Sequence, residues 1–246
     1  MRKPEVLLFF YFSGNFKLAF QAGNEYILNI NFIMNIFQKS RIAGEYDDYY
    51  LTDFGKQVDR IEKKMISGLL EDIPRGEMID LGCGTGHWTE FFVDEGFKVK
   101  GVDTSEAMLN IARNKKINAE FLQADSQDLP FEDESQYLVS SIAMLEFVEN
   151  RQKAIDEIYR VLKKGGRFIL GGLNAASVPG RNKENDEVFK HARFWEKEEI
   201  DSMFSNFEIL KMEEGVYMDE NFKIRDTEKD KSGIEPVFIA ALFQKI

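Results

Sequence analysis

Three glycines at alternate positions, Gly82, Gly84 and Gly86, follow a short apolar run, and an aspartate stands on either side of them. Asp80 comes just before this loop, and Asp103 ends a second apolar run 21 residues after Gly82. Glycines in this arrangement allow the backbone to turn sharply and to come close to a ligand. A carboxylate about 20 residues beyond such a loop is typical of the contact that holds the two hydroxyls of a ribose. The residues therefore predict a nucleoside-binding site.

The same loop helps to decide which nucleoside is bound. A dinucleotide fingerprint of the form G-x-G-x-x-G would need glycine where this chain has His87. The carboxylate of Asp80 would repel a pyrophosphate, whereas S-adenosylmethionine has no phosphate and carries a positive sulfonium and a positive ammonium. The loop thus favours S-adenosylmethionine over NAD, and an NAD-dependent oxidoreductase is the disfavoured alternative.

Three motifs in a fixed order give a resemblance to a known family. They are Asp80-Leu-Gly-Cys-Gly-Thr-Gly86, Gly101-Val-Asp-Thr-Ser-Glu-Ala-Met-Leu109 and Gln123-Ala-Asp-Ser-Gln-Asp-Leu-Pro-Phe131. Together they resemble class I S-adenosylmethionine-dependent methyltransferases, most nearly the type 11 group that acts on small molecules. The resemblance implies methyl transfer to a small-molecule acceptor. A non-catalytic, regulatory protein that binds S-adenosylmethionine would keep the same loop and is the alternative.

The resemblance also implies how the cofactor is held. Asp125 would accept a hydrogen bond from the adenine amino group, and the backbone N–H of Ser126 would meet a ring nitrogen. One departure stands at Gln136-Tyr137, where the family usually has a Phe-Asp pair, and it concerns local packing more than cofactor binding. The predicted cofactor-binding residues are Tyr46, Asp80, Gly82, Cys83, Gly84, Gly86, His87, Asp103, Thr104, Met108, Asp125, Ser126 and Ile142. No residue is assigned as catalytic and none as a metal ligand.

For the residues around the acceptor, the sequence leaves alternatives. His87 is expected to line the methionine end of the cofactor site rather than to act as a base, and His191 lies in a segment that could border the acceptor. Glu146 either faces the acceptor or lies on a helix surface. Tyr46 and Tyr50 either fold over the cofactor or serve packing alone. The chain has no Asn/Asp-Pro-Pro-Tyr motif after the predicted strand Tyr137–Ile142, which argues against methylation of an adenine or glutamine amino group.

Composition sets further limits. A chain of 246 residues with 43% hydrophobic residues suits one α/β domain. The net charge of −11 argues against nucleic-acid binding, because phosphate contacts need clustered Lys and Arg. No apolar run approaches the ~20 residues of a membrane span, so we expect no stable membrane insertion. Cys83 is the only cysteine; it is expected to be a buried filler and fits a reducing, cytoplasmic location. The oligomeric state is left open.

The elements that position these residues alternate between strands and helices. This alternation predicts a doubly wound, Rossmann-like α/β fold: a mostly parallel seven-stranded sheet with helices on both faces and an antiparallel last strand, the last two strands forming the hairpin of the resembled family. Ligands of such sheets lie beyond the carboxyl ends of the strands. A helix is predicted at Phe54–Leu70 and another at Arg151–Lys164, stopped by Gly165-Gly166. The predicted strands are Met78–Leu81, Lys98–Val102, Ala119–Ala124, Tyr137–Ile142, Arg167–Gly171, Phe207–Met212 and Val237–Phe243.

The first 33 residues differ from the rest. They contain six of the 22 phenylalanines but three basic and two acidic residues. We therefore expect residues 1–33 to be an atypical apolar N-terminal extension and residues 34–246 to be the methyltransferase domain. Two long connections, Asn174–Lys190 with Gly180 as a hinge and Glu213–Pro236, are candidates for segments that face the substrate.

Overall fold

The structure is a computed structural model that describes residues 21–22, 25–26, 36–38, 40–186, 188–225 and 233–246. Most of the predicted extension, residues 1–33, lies outside the described residues. Its described parts, Gln21–Ala22 and Glu25–Tyr26, pair as a short antiparallel ladder. Within the described ranges, no helix is long and apolar enough to cross a membrane.

A seven-stranded sheet forms the centre of the molecule, in the order β3-β2-β1-β4-β5-β7-β6. The strands β1 to β5 pair in parallel, and β7 is antiparallel to both of its neighbours. The prediction of a mostly parallel sheet with an antiparallel last strand is confirmed. The strands are β1 Glu77–Leu81, β2 Lys98–Asp103, β3 Glu120–Gln123, β4 Gln136–Ile142, β5 Leu162–Leu173, β6 Phe207–Tyr217 and β7 Pro236–Lys245.

Helices cover both faces of this sheet. Residues of β1 show why: Met78 packs in one apolar cluster and Ile79 in the other, and both side chains are buried. Alternate residues of a strand point to opposite faces, so an apolar run such as this one needs cover on each side. The helices are α1 Ser40–Tyr46, α2 Asp48–Leu51, α3 Asp53–Leu70, α4 His87–Asp94, α5 Glu106–Asn114, α6 Arg151–Val161, α7 Val178–Asn182 and α8 Lys197–Met203.

Local sequence sets where the helices beside the site begin. The α3 helix begins after Thr52, whose side chain accepts a hydrogen bond from Gly55 N at 2.9 Å. The α5 helix begins after Ser105, whose hydroxyl accepts one from Met108 N at 3.2 Å. Such caps satisfy backbone donors that the first turn of a helix leaves unpaired. Ser105 thereby fixes the turn that follows β2, at the edge where ligands bind.

The junction between α6 and β5 differs from the sequence prediction. The helix ends at Val161, and the strand begins at Leu162 instead of Arg167. Leu162 pairs with Gln136 of β4, and its carbonyl accepts a hydrogen bond from Lys245 Nζ at 2.7 Å. These partners are distant in sequence, so the Gly165-Gly166 pair, which resembles a helix stop, was misleading. The β6 strand likewise runs to Tyr217, which shortens the following connection to residues 218–235.

Candidate cofactor-binding site

The glycine loop lies between β1 and α4 and is fastened to the end of β2. The backbone N–H groups of Gly82 and Cys83 both donate to Val102 O, at 2.7 and 3.0 Å. Gly82, Gly84 and Gly86 have φ values of +77°, +52° and +85°, a left-handed conformation that favours glycine. A Cβ at Gly82 would lie 2.0 Å from Met144 Cγ, whereas a Cβ at Gly84 would have no neighbour within 4 Å. The loop is therefore tightly packed at Gly82 and open at Gly84.

Asp103 ends β2 directly beside this loop. Its Oδ2 accepts a hydrogen bond from Gly84 N at 2.9 Å, and its Oδ1 accepts one from Ser105 N at 2.8 Å. Burial raises the pKa of this carboxyl group, and the backbone donors oppose that rise. Each carboxylate oxygen can accept more than one hydrogen bond. The carboxylate is thus held in a fixed orientation and keeps acceptor capacity for two ligand hydroxyls.

A cavity of about 310 Å³ opens at the carboxyl ends of β1, β2 and β4. It lies at the position where parallel α/β sheets bind ligands, next to the point where the strand order reverses. Nine of the predicted cofactor-binding residues line it: Tyr46, Gly82, Gly84, Asp103, Thr104, Met108, Asp125, Ser126 and Ile142. Phe37 and Phe147 also line the cavity and meet edge to face at 5.0 Å, and sequence reasoning missed both.

Of the other four predicted residues, Asp80 lies beneath the loop, and Cys83 and Gly86 belong to the loop but do not line the cavity. Thr89 Oγ1 donates to Asp80 Oδ2 at 2.6 Å, and Ser140 Oγ lies 3.3 Å from Asp80 Oδ1. Burial raises the pKa of Asp80 to about 6. Cys83 is buried as expected, and burial raises the pKa of its thiol. A Cβ at Gly86 would lie 2.7 Å from a side-chain carbon below it. These residues shape the loop from inside the protein.

His87, the fourth, is turned toward the N-terminal helices. Its ring stacks on Tyr50 with centroids 3.6 Å apart and planes 11° apart. Its Nε2 lies 2.7 Å from Asp59 Oδ1. These contacts explain why His87 is not among the residues that line the cavity, although sequence reasoning expected it at the methionine end.

The α1 and α2 helices are fastened over the glycine loop by polar contacts. Thr85 Oγ1 donates to Asp47 Oδ1 at 2.7 Å, and Lys115 Nζ lies 2.6 Å from Asp47 Oδ2. Ser105 Oγ donates to Phe37 O at 2.6 Å. No sequence motif indicates these contacts, because the partners are 38 to 68 residues apart. They bring Tyr46 to the cavity wall.

Glu146 does not lie on a helix surface, which was one of the two positions considered from sequence. It is buried and does not line the cavity. Its Oε1 accepts a hydrogen bond from Leu173 N at 2.7 Å, and burial raises its pKa to about 7. The guanidinium of Arg151 lies 3.8 Å from the ring centroid of the nearby Trp195. Glu146 therefore joins the segment after β4 to the end of β5.

His191 lies exposed in a short 3-10 helix, Phe189–His191.

Comparison with known proteins agrees with this geometry. Residues 79–170 match the family model of a methyltransferase domain. An uncharacterized protein of Methanocaldococcus jannaschii is 32% identical over 219 residues, which are 87% of this chain and 100% of that protein. A ubiquinone/menaquinone biosynthesis C-methyltransferase of Campylobacter jejuni is 38% identical over 101 residues, 38% of this chain and 43% of the relative.

A solved structure extends the likeness to most of the fold. It is an S-adenosylmethionine-dependent methyltransferase of Thermotoga maritima, described as a "possible histamine N-methyltransferase". It superposes with a TM-score of 0.65 at 26% identity and covers 84% of this chain and 98% of its own. The chain belongs to the class I S-adenosylmethionine-dependent methyltransferases. Its cofactor is therefore S-adenosylmethionine, and these comparisons leave its acceptor unidentified.

Proposed function

We propose that this protein is an active enzyme that transfers the methyl group of S-adenosylmethionine to a small molecule, with the cofactor bound in the cavity at the strand ends. The observation that carries the proposal is the pair formed by Asp103 and Gly84. A half-buried carboxylate is fixed by a backbone N–H of the loop, and the loop glycine that supplies this N–H has open space where a side chain would stand. This arrangement fits a ribose next to a closely approaching backbone.

The residues present fit each part of the cofactor. Asp103 would accept hydrogen bonds from both ribose hydroxyls. Asp125, exposed at the cavity rim, and the backbone N–H of Ser126 would bind the adenine. Gly82 and Gly84 would face the methionine arm, for which Asp80 supplies negative charge from below the loop. The two cationic groups of the cofactor suit this acidic surface.

The chemistry asks little of the protein beyond positioning. S-adenosylmethionine supplies a methyl group on an already activated sulfur leaving group, so no acid is needed. The protein therefore has to hold the acceptor in line with the sulfur–carbon bond and to keep water out. A base is needed only where the acceptor must lose a proton. Neither His87, which contacts Tyr50 and Asp59, nor the buried Glu146 is placed to act as one, and we assign no general base.

Ligand binding and turnover test the proposal separately. Titration calorimetry with S-adenosylmethionine, S-adenosylhomocysteine and NAD should give saturable micromolar binding for the first two alone. Release of S-adenosylhomocysteine in a screen of small molecules should then identify acceptors. Binding without turnover of any acceptor would favour the regulatory alternative, and micromolar binding of NAD would contradict the cofactor assignment.

We also propose a cytoplasmic location and a division of the chain at residue 33. The single buried cysteine supports the first, and the change in charge content after residue 33 supports the second. Fractionation of the source cells tests the location. The intact mass of the native protein tests whether residues 1–33 belong to it.

A further inference from the structure

The loop that carries Asp125 is held by side chains of the α6 helix. Two of them bind both backbone polar groups of Leu129: its N–H donates to Glu157 Oε2 at 2.8 Å, and its carbonyl oxygen accepts from Arg160 Nη2 at 3.0 Å. Arg160 Nη1 also donates to Phe131 O at 2.8 Å. Backbone groups outside helices and strands need other partners, and here one helix supplies them.

Glu157 and Arg160 are themselves joined by a two-point contact, and we call this pair the α6 clamp. Arg160 Nε lies 2.7 Å from Glu157 Oε1, and Arg160 Nη2 lies 2.7 Å from Glu157 Oε2. Residues three apart on a helix face the same side, and two parallel contacts fix the planes of both groups. Arg160 Nη1 lies 2.7 Å from Asp133 Oδ1 as well. The hydrogen bond from Arg160 lowers the pKa of Glu157, so this carboxylate is ionised at neutral pH.

The other part of the same loop faces the cavity. Asp125, Ser126 and Gln127 line it, whereas Leu129 and the α6 clamp do not. Asp125 Oδ1 accepts a hydrogen bond from Gln127 N at 2.8 Å, which orients this exposed carboxylate. Gln127 Oε1 in turn accepts one at 3.2 Å from the N–H of Asn150, the residue that caps α6. The α6 helix therefore fixes the loop at two points, and the cavity-facing groups lie beside them.

We propose that Glu157 and Arg160 are positioning residues for base recognition, because they fix the loop from which Asp125 and Ser126 select adenine. This inference rests on the proposed function, since it assumes that the adenine of the cofactor binds at these two residues. Adenine has an amino group that donates and a ring nitrogen that accepts, which a carboxylate and a backbone N–H match at one fixed spacing. Hypoxanthine has a carbonyl group and a ring N–H at the same positions, so it opposes acceptor to acceptor and donor to donor. A loop released from the α6 clamp adjusts its position and loses this selectivity.

The test compares S-adenosylhomocysteine with S-inosylhomocysteine, in which hypoxanthine replaces adenine. Calorimetry on the full chain gives the dissociation constant of each ligand. We expect the unmodified protein to bind S-adenosylhomocysteine about tenfold or more tightly than S-inosylhomocysteine. Arg160→Ala removes every donor of the α6 clamp and should reduce this preference to about threefold or less, through weaker binding of the adenine ligand.

Arg75 offers a matched control far from the cavity. It lies just before β1, at the amino end of a strand whose carboxyl end borders the cavity. Its guanidinium donates to Leu70 O and Ile73 O, each at 2.8 Å, and lies 3.3 Å from Glu95 Oε2. Arg75→Ala thus removes the same kinds of contact and should lower the thermal unfolding temperature while leaving the preference for adenine unchanged. Arg160→Lys, which keeps the charge but lacks the planar fork of donors, should give an intermediate preference and serves where Arg160→Ala does not fold.

Several results would overturn the inference. One is a folded Arg160→Ala or Arg160→Lys variant that keeps the full preference, and another is a variant that weakens both ligands equally. A similar loss of preference in Arg75→Ala would attribute the effect to general destabilisation. An unmodified protein that binds both ligands equally well would show that Asp125 and Ser126 do not select the base. Failure of the unmodified protein to bind either ligand would instead contradict the proposed function itself.

Discussion

Gly82 and Gly84 have the same left-handed backbone, but a methyl group added at each would meet different surroundings. At Gly82 it would lie 2.0 Å from Met144 Cγ, and at Gly84 it would meet no protein atom within 4 Å. The left-handed conformation costs a non-glycine residue about 1–2 kcal/mol. Overpacking against Met144 adds about 1–3 kcal/mol. We therefore expect Gly82→Ala to lower the free energy of unfolding by about 2–5 kcal/mol and Gly84→Ala by about 1–2 kcal/mol.

The two variants should rank in the opposite order in their effect on cofactor affinity. The added methyl of Gly84→Ala enters space that we assign to the ligand, so S-adenosylmethionine affinity should fall by about tenfold or more, which is about 1.4 kcal/mol. Urea denaturation measures the first quantity, and calorimetry on folded protein measures the second. A Gly84→Ala variant with unchanged affinity would show that the cofactor does not approach the loop there. A Gly82→Ala variant as stable as Gly84→Ala would show that Met144 moves aside at no cost.

Three further predictions concern polar groups of the site. Asp103→Ala should weaken S-adenosylmethionine by about 2–4 kcal/mol in calorimetry, through loss of charge-assisted contacts to the ribose, and an unchanged Kd would remove Asp103 from the site. The pKa of Asp80 is raised from 3.8 to about 6, so its contribution to stability is fully present below pH 3.8 and is lost as pH rises through about 6. As pH rises between those limits, the free energy of unfolding of Asp80→Asn should therefore increase by about 3 kcal/mol relative to that of the unmodified protein. Parallel pH profiles of the two unfolding free energies would refute this. Thr85→Val removes the 2.7 Å hydrogen bond to Asp47 and should lower the free energy of unfolding by about 1–2 kcal/mol. It should also speed hydrogen exchange of the backbone amides in Ser40–Tyr46. Unchanged exchange there would mean that this hydrogen bond does not hold the helix in place.

Sequence reasoning succeeded where local chemistry and local structure coincide. The apolar runs before the loop and before Asp103 are short and bounded by glycine or a polar residue, so the strands and their ends could be placed within a few residues. Because parallel strands end at one edge of the sheet, the grouping of Asp103, Asp125 and Ile142 followed from the order of elements alone. The lining of the cavity by these three residues agrees with that inference.

It was less successful where a side chain has partners far away in sequence. The charge argument placed Asp80 beside the cofactor, but its two oxygens face Thr89 and Ser140, the latter 60 residues away. His87 was expected at the methionine end, but Tyr50 and Asp59 hold it on the other side. No local pattern contains those partners. Residue type and spacing predicted which residues surround the loop but not which surface of the loop each one faces.

The three alternating glycines of the loop differ in whether they face protein atoms or the space assigned to the ligand. Gly82 and Gly86 are glycines because a Cβ at either would strike protein atoms, at 2.0 and 2.7 Å, whereas Gly84 lies between them with open space beside it. The acids divide in the same way: Asp80 is buried below the loop, and Asp103 faces the cavity from the side. Packing below the loop and the 2.9 Å hydrogen bond from Gly84 N to Asp103 hold the open glycine and this carboxylate at a set separation. Because an ordered site costs little further entropy when the ligand arrives, the residues that never touch the cofactor contribute to its affinity as well.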